Sequence, residues 1–487
     1  MRKGVGVAVL ACLGAAVASV AIAAPGASTG PSSSQSPYIV RSQPGVVTKS
    51  ILTVGDSVNL KPNGTPDRLV GIPDGLGAFD NGDETFTLLM NHELGSTAGI
   101  VRAHGAAGAF VSRWTIRKDD LDVVSGQDLI QNIATWNAAT SAYNTPAKGV
   151  ALGRLCSADL PATSAFWNAA SGLGYNGRLF TDGEEVAGGR GFAHALDGTS
   201  WELPRLGKFS WENSVASGSG GNKTIVVGLD DTSPAGELYV YVGDKTSSGS
   251  PVDKAGLTNG ALYGVKVTGY PAEPIATGIP SGTAFSLHPF GNVESMTGAQ
   301  LQTASSAGGV TQFRRPEDGA WDTQSPNVFY FVTTASFTEA SRLWRLRFAD
   351  VTNPAAGGTL DMLLEGTEDG GTGERFHMLD NVGVDSRGRV MLQEDPGNQA
   401  YLARVWQYDP SSDTLTEVAR HDPELFAPGA TGFLTQDEES SGIIDVSSIL
   451  GEGWFLGDVQ AHYAIGGELV EGGQLFALHV PPGKKFK

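Results

Sequence analysis

The chain has 487 residues, with 33 Lys and Arg against 52 Asp and Glu and a formal charge of −19. A surface this acidic repels nucleic acid and anionic lipid and suits a medium that supplies divalent cations. The length excludes a single ordinary core, although one closed repeat architecture could use the whole chain.

The first residues speak to compartment. Arg2 and Lys3 precede an almost uncharged apolar stretch from Val5 to Ile22, and Ala21-Ile22-Ala23 supplies the small-x-small pattern of a cleavage site. Residues 1–24 are therefore expected to be a signal peptide. A transmembrane anchor is the alternative, but the stretch is Ala- and Gly-rich, barely long enough to span, and lacks a positive stop-transfer flank. Val9-Leu10-Ala11-Cys12 resembles a lipoprotein box placed too early. The mature chain is expected to be secreted, periplasmic or extracellular, without stable membrane insertion. Cys12 leaves with the signal peptide, so Cys156 stays as one unpaired thiol in an oxidising compartment. Such a leftover suggests a metal ligand or a reactive group, with an inert core cysteine as the plain alternative.

Residues 25–50 read as a flexible lead-in, since Ala27 to Pro44 is rich in Ser, Gly and Pro. Residues 51–487 then read as one domain. Ser125 to Thr140 and Ala158 to Asn168 are candidates for short helices or ordered insertions. Elsewhere short alternating runs dominate, bounded by Gly, Asp, Asn and Pro. One pattern recurs: an aliphatic residue, an aromatic, then alternating apolar positions. It stands at Leu238-Tyr239-Val240-Tyr241-Val242, Leu262-Tyr263-Gly264-Val265, Leu343-Trp344-Arg345-Leu346, Val405-Trp406-Gln407-Tyr408 and Leu475-Phe476-Ala477-Leu478. Repeated strands of one type, each followed by a turn, predict an all-β fold. A β-propeller of about six blades with loop and short helical insertions suits the length and repetition better than a two-sheet sandwich.

Five acidic constellations lie at or beside predicted strand ends. They are Asn91-His92-Glu93; Asp182-Gly183-Glu184-Glu185; Phe209-Ser210-Trp211-Glu212-Asn213; Phe313-Arg314-Arg315-Pro316-Glu317-Asp318; and Asp380-Asn381 with Glu394-Asp395. Hard cations such as calcium require six to eight oxygen ligands, and carboxylates converging from separate strands can supply them. A solvated loop is the plain reading of any one cluster alone. In the fourth, Pro316 stiffens the backbone between Arg315 and Glu317. An arginine beside a metal-bound carboxylate can clamp phosphate oxygens with parallel hydrogen bonds, and a structural Arg–Glu pair is the alternative. None of His104, His194, His288, His377, His421, His462 and His479 shows HxxxH or HExxH spacing, which argues against zinc-protease chemistry.

Taken together, Phe313-Arg314-Arg315-Pro316-Glu317, Asn91-His92-Glu93, Cys156 and Asp380-Asn381 resemble the PhoX-type alkaline phosphatases. So do Gly207-Lys208-Phe209-Ser210-Trp211-Glu212 and Val240-Tyr241-Val242-Gly243-Asp244, and the similarity runs from about Leu88 to Val459-Gln460. The resemblance implies an exported β-propeller that hydrolyses phosphate monoesters at a site containing iron and calcium. It implies Cys156 as thiolate ligand, Glu212 and Glu317 as carboxylate ligands, and Arg315 as the residue holding substrate phosphate. Glu93, Glu185, Asp380 and Glu394 are further metal candidates. The expected partner is a small phosphate ester, with no nucleic acid, and the protein is expected to be a monomer. Around the cysteine the family pattern is Asn-Cys-small-Gly-Gly, whereas this chain has Arg154-Leu155-Cys156-Ser157-Ala158-Asp159. Two other readings remain open: a calcium-dependent propeller hydrolase of another ester class (phytase- or lactonase-like), and a non-catalytic, calcium-stabilised surface binding module.

Overall fold

The short alternating runs fold as antiparallel blades around a central axis, in a computed structural model that describes residues 26–366 and 375–482. The expected signal peptide lies outside the described residues. Among the described residues there are six blades, so the fold is a β-propeller as the repeats predict. The first is built from Pro73–Asp80, Thr85–His92, Phe110–Arg117 and Val123–Asp128. The innermost segment of the second is 155–159, which bridges Leu179–Gly183 in antiparallel sense. Gly189–Ala195 and Thr199–Glu202 follow outward. The third begins at Trp211–Ala216, the fourth at Pro316–Trp321, the fifth at Leu379–Val384 and the sixth at Glu438–Asp445. Thr283–Gly291 joins the outer strands of the third and fourth blades into one continuous sheet.

The recurring aromatic pattern marks the third strand of a blade in four cases: Gly236–Asp244, Arg342–Phe348, Arg404–Asp409 and Val470–His479. That strand is buried on both sides, because each seam between neighbouring blades has its own apolar filling. Phe329, Trp344 and Val240 fill the seam between blades three and four. Tyr330, Leu343 and Trp406 fill the next. Alternate residues of one strand thus face opposite seams, which is why the pattern is apolar at nearly every position.

Three expectations are corrected. Segment 25–50 is not a free lead-in: Ala27–Thr29, Ile39–Arg41 and the start of Val47–Thr53 are strands within it. Val47–Thr53 pairs with Val470–His479 and completes the sixth blade, and Ile39–Arg41 extends the fifth. Composition misled here because most of the Ser, Gly and Pro residues fall in the turns between these strands. The stretch 125–140 contains the end of Val123–Asp128 and then Asn132–Ala134, not a helix; its apolar spacing belongs to strands. Within 158–168 the only helical turn is the short 3-10 segment Thr163–Ala165. No helix among the described residues is long and apolar enough to cross a membrane.

Candidate metal and phosphate site

The propeller repeat builds the site, one blade at a time. In each blade the backbone carbonyl two residues ahead of the first inward-pointing side chain accepts a hydrogen bond from the following strand. These bonds are Glu93 N to Ile72 O, Glu185 N to Arg154 O, Asp231 N to Ser210 O, Thr334 N to Arg315 O, Asp395 N to Met378 O and His462 N to Asp437 O, all between 2.7 and 3.0 Å. The blades therefore bring ring positions to one end of the axis, joined by the leading residues Ile72, Arg154, Arg315 and Asp437 of blades one, two, four and six. The innermost are Asp74, Cys156, Glu212, Glu317, Asp380 and Glu439. Beside them stand Glu93, Glu185, Asp231, Thr334, Asp395 and His462. Four of the six leading residues, Ile72, Arg154, Arg315 and Met378, have left-handed φ between 43° and 60°. That strain in non-glycine residues is characteristic of functional sites.

A second device doubles the polar side chains on the axis. Four inner strands carry a bulge at the same place, between Pro73 and Leu76, Trp211 and Ser214, Pro316 and Gly319, and Leu379 and Val382. Two residues then oppose one on the neighbouring strand, and consecutive side chains can be re-aimed. Bulging explains why Glu212-Asn213, Glu317-Asp318 and Asp380-Asn381 come as adjacent polar pairs in strands otherwise buried. The second members tie the axis below the site: Asn213 Nδ2 donates to Asp318 Oδ1 at 2.6 Å, and Asn381 Nδ2 donates to Ser157 Oγ at 2.6 Å.

The upper ring lines a cavity of about 460 Å³ that includes Glu93, Arg154, Cys156, Glu185, Glu212 and Arg315. Glu317, Asp380, Asp395, Glu439, Gln460 and His462 line it too. Donor atoms fall into three linked sets, each within 4.8 Å: Asp74, Glu93 and Cys156; Cys156, Glu185 and Glu212; Glu212, Glu317 and Asp380. Cys156 Sγ lies 3.4 Å from Asp74 Oδ2, and Gln460 Nε2 donates to both Asp74 (2.8 Å) and Glu93 (3.0 Å). Asn91 Nδ2 holds the Cys156 carbonyl at 2.8 Å.

Burial, then the neighbouring carboxylates, pushes Asp74, Glu212, Glu317 and Asp380 well above the ordinary carboxyl range. Burial likewise raises the Cys156 thiol, with Asp74 and Glu212 adding to it. Glu185 is pushed up to about 8, by burial and then by Glu93. Burial disfavours the His462 imidazolium, but Glu439 and Glu471 outweigh it and carry the group up to about 11. Glu212 Oε1 is buried without a hydrogen-bond partner. A crowd of mutually repelling carboxyls, one thiol and an orphaned oxygen is the donor set that cations would satisfy, so the residues present fit such a group.

Two guanidinium groups face this cavity. Arg315 grips Asp231 with two bonds, Nε to Oδ1 at 2.8 Å and Nη2 to Oδ2 at 2.7 Å, and its Nη2 lies 3.1 Å from Glu317. Arg154 Nε donates to Glu185 at 3.1 Å, and its Nη2 lies 2.5 Å from Glu93. Arg314, by contrast, turns away to pair with Glu339.

Of the residues singled out in the sequence, Cys156, Glu212, Glu317, Glu93, Glu185, Asp380 and Arg315 share this cavity. Glu394 does not. It is fully buried inside the fifth blade, where it accepts from His377 N (2.7 Å), Arg404 N (2.8 Å) and Tyr401 OH (3.0 Å). Its neighbour Asp395 faces the cavity instead, because successive side chains of a strand point to opposite faces. His92 is also a packing residue, its ring bonded to Val70 O and Ser112 Oγ. Sequence reasoning missed Asp74, Asp231, Glu439, Gln460 and His462. The blade repeat, aligned on the residue two after each leading position, would have found Asp74 and Glu439.

Residues 194–407 match the family model described as alkaline phosphatase PhoX, which bears out the resemblance read from the sequence. Among solved structures, PhoX of Pseudomonas fluorescens in complex with vanadate, a transition state analogue, aligns with a TM-score of 0.65 at 12% identity. The alignment covers 90% of this chain and 96% of that one. A sialidase of Trypanosoma rangeli, in complex with 2,3-difluorosialic acid, aligns at a TM-score of 0.39 and 10% identity, over 90% of this chain and 59% of that one. A fungal alcohol oxidase of the AA5 family with copper gives 0.38 and 11%, over 84% and 74%. No curated protein sequence matches the chain.

Proposed function

We propose that this chain is an exported PhoX-type phosphatase that hydrolyses small phosphate monoesters with the help of iron and calcium ions. The observation that carries this reading is the convergence of one thiol, a run of carboxylates and Arg315 on a single cavity. Calcium alone needs neither thiol nor guanidinium. Cys156, Glu185 and Glu212 would hold an iron-type ion, whose affinity for thiolate fits a lone exported cysteine. Glu317, Asp380, Asp74 and Glu93 would complete the cation cluster with hard oxygen donors. When bound, such ions supply Lewis-acid polarisation of the phosphoryl group.

The chain's own residues position and stabilise. Arg315 keeps Nε and Nη2 on Asp231 and Glu317, which fixes the plane of the guanidinium and leaves Nη1 without a protein partner among the described residues. A preorganised cation of this kind stabilises charge developing on phosphoryl oxygens at little reorganisation cost. The strained backbone at Arg315, followed by Pro316, holds that direction.

The test is elemental analysis of the purified protein together with p-nitrophenyl phosphate turnover. Iron with turnover supports the reading. Calcium without iron, and activity only on other esters, points to another hydrolase class; bound calcium with no esterase activity of any kind points to a binding module. Cys156→Ser is expected to remove iron while leaving most calcium, and retained iron would reject the thiolate assignment. Arg315→Ala should keep its metals yet lose roughly 10²–10³ in kcat, the usual cost of removing a principal electrostatic stabiliser.

A further inference from the structure

Arg154 and Arg315 occupy the same position in the propeller repeat. Each lies two residues before the innermost ligand of its blade, Cys156 or Glu317, and each has left-handed φ, 43° and 60°. The carbonyl of each accepts the bond that fixes the next strand, from Glu185 N at 2.7 Å and Thr334 N at 3.0 Å. Their side chains are held alike: Nε and Nη2 lie on carboxylates, and Nη1 makes no hydrogen bond to protein among the described residues. They belong to the second and fourth blades, so the third blade, with Glu212, stands between them. Their carboxylate partners, Glu93 and Glu185 on one side and Asp231 and Glu317 on the other, line the same cavity.

An arginine whose only task is to neutralise buried acids looks different in this molecule. Arg342 is 1% exposed, and all three of its nitrogens are bonded, to Glu273, Glu365 and the Ile275 carbonyl. Arg154 has 47% of its side chain exposed to the cavity while touching Glu93 and Glu185. Two uncommitted guanidinium edges, facing one cavity from either side of a metal-binding carboxylate, match a doubly charged phosphoryl group in number and sign.

We propose that Arg154 is a second substrate-gripping residue, which opposes Arg315 across Glu212 and binds a non-bridging phosphoryl oxygen through its free Nη1. The proposal rests on the phosphatase reading given above.

The experiment measures inorganic phosphate and orthovanadate binding by calorimetry to the metal-loaded, full-length mature protein, as wild type, Arg154→Gln and Arg154→Lys. Iron and calcium per chain are measured on the same samples. The glutamine variant is expected to bind both oxyanions roughly 10- to 100-fold more weakly, the range for losing a hydrogen bond to a charged group, with unchanged metal content. The lysine variant should recover part of that loss, and the KM for p-nitrophenyl phosphate should rise in parallel. Wild-type oxyanion affinity in Arg154→Gln overturns the proposal and leaves the phosphatase reading intact. Loss of oxyanion binding in proportion to lost metal also overturns it, making Arg154 a support of the cation cluster. Wild-type protein that binds metal but neither oxyanion overturns the phosphatase reading and this proposal with it.

Discussion

Glu394 and Asp395 are adjacent acids with opposite fates, and the difference is one of facing. Glu394 is wholly inside the fifth blade, and burial raises it to about 8. A carboxyl held above its unfolded value of about 4.5 binds its proton more tightly when folded. Its contribution to stability is thus complete below about pH 4.5 and disappears as pH climbs through about 8. Glu394→Gln should remove that share of the pH dependence, at most about 1.4 kcal/mol per pH unit between these limits. Urea titrations at pH 5 and pH 9 would show it as a smaller loss in the variant than in wild type. Metal content should be unchanged, and a variant that lost iron or calcium would restore Glu394 as a ligand. The sequence reveals that acids cluster at Asp380 and Glu394-Asp395, but not which of two neighbours turns inward. Cys156 and Arg315-Pro316-Glu317 stand out in the sequence as an unpaired thiol and a charge pair around proline, while Glu212 is singled out only by the resemblance to the PhoX-type phosphatases. Asp74 and Asp231 are not, because Pro73-Asp74-Gly75 and Asp230-Asp231-Thr232 look like ordinary turns.

At the scale of strands, the third member of four blades advertises itself through its aromatic pattern, while the first conceals itself. Inner strands are interrupted by bulges and carry paired polar residues, so they read as loops. Residues 155–159 go furthest in this respect, joined to the next strand only by isolated bridges, Leu155 to Glu184 and Asp159 to Thr181. The strand Val47–Thr53 hides for another reason, since it is flanked by turn-forming residues and its partner is near the other end of the chain. Deleting residues 26–53 is expected to expose the edge of Val470–His479, with its row of unpaired backbone groups. The shortened protein should aggregate or lose its cooperative melt; a soluble monomer with an unchanged transition would show that the sixth blade does not need this strand.

For the whole molecule, six blades meet at a ring of acids whose mutual repulsion opposes closure. Burial and like charge raise Asp74, Glu212, Glu317 and Asp380 together, so neutral pH without cations is the least comfortable condition for the ring. Ions that bind only the folded ring stabilise it by mass action, by about 2.7 kcal/mol at a hundredfold excess over Kd. Chelation should therefore lower the melting temperature at pH 8, and acidification toward pH 5 should narrow the gap between chelated and loaded protein. An equal melting temperature with and without chelator would mean that the acids are compensated by the arginines alone.

The tie between Val47–Thr53 and Val470–His479 also sets an order of events. Loop closure over more than four hundred residues comes late, whereas neighbouring strands within a blade can zip as soon as they exist. The candidate donors come from the first five blades, and Gln460 of the sixth donates to both Asp74 and Glu93, so a nascent chain that has made five blades still lacks part of the site. If the ring binds ions as proposed, their uptake would report a completed molecule, and half-made chains would leave scarce metal to those that have already closed.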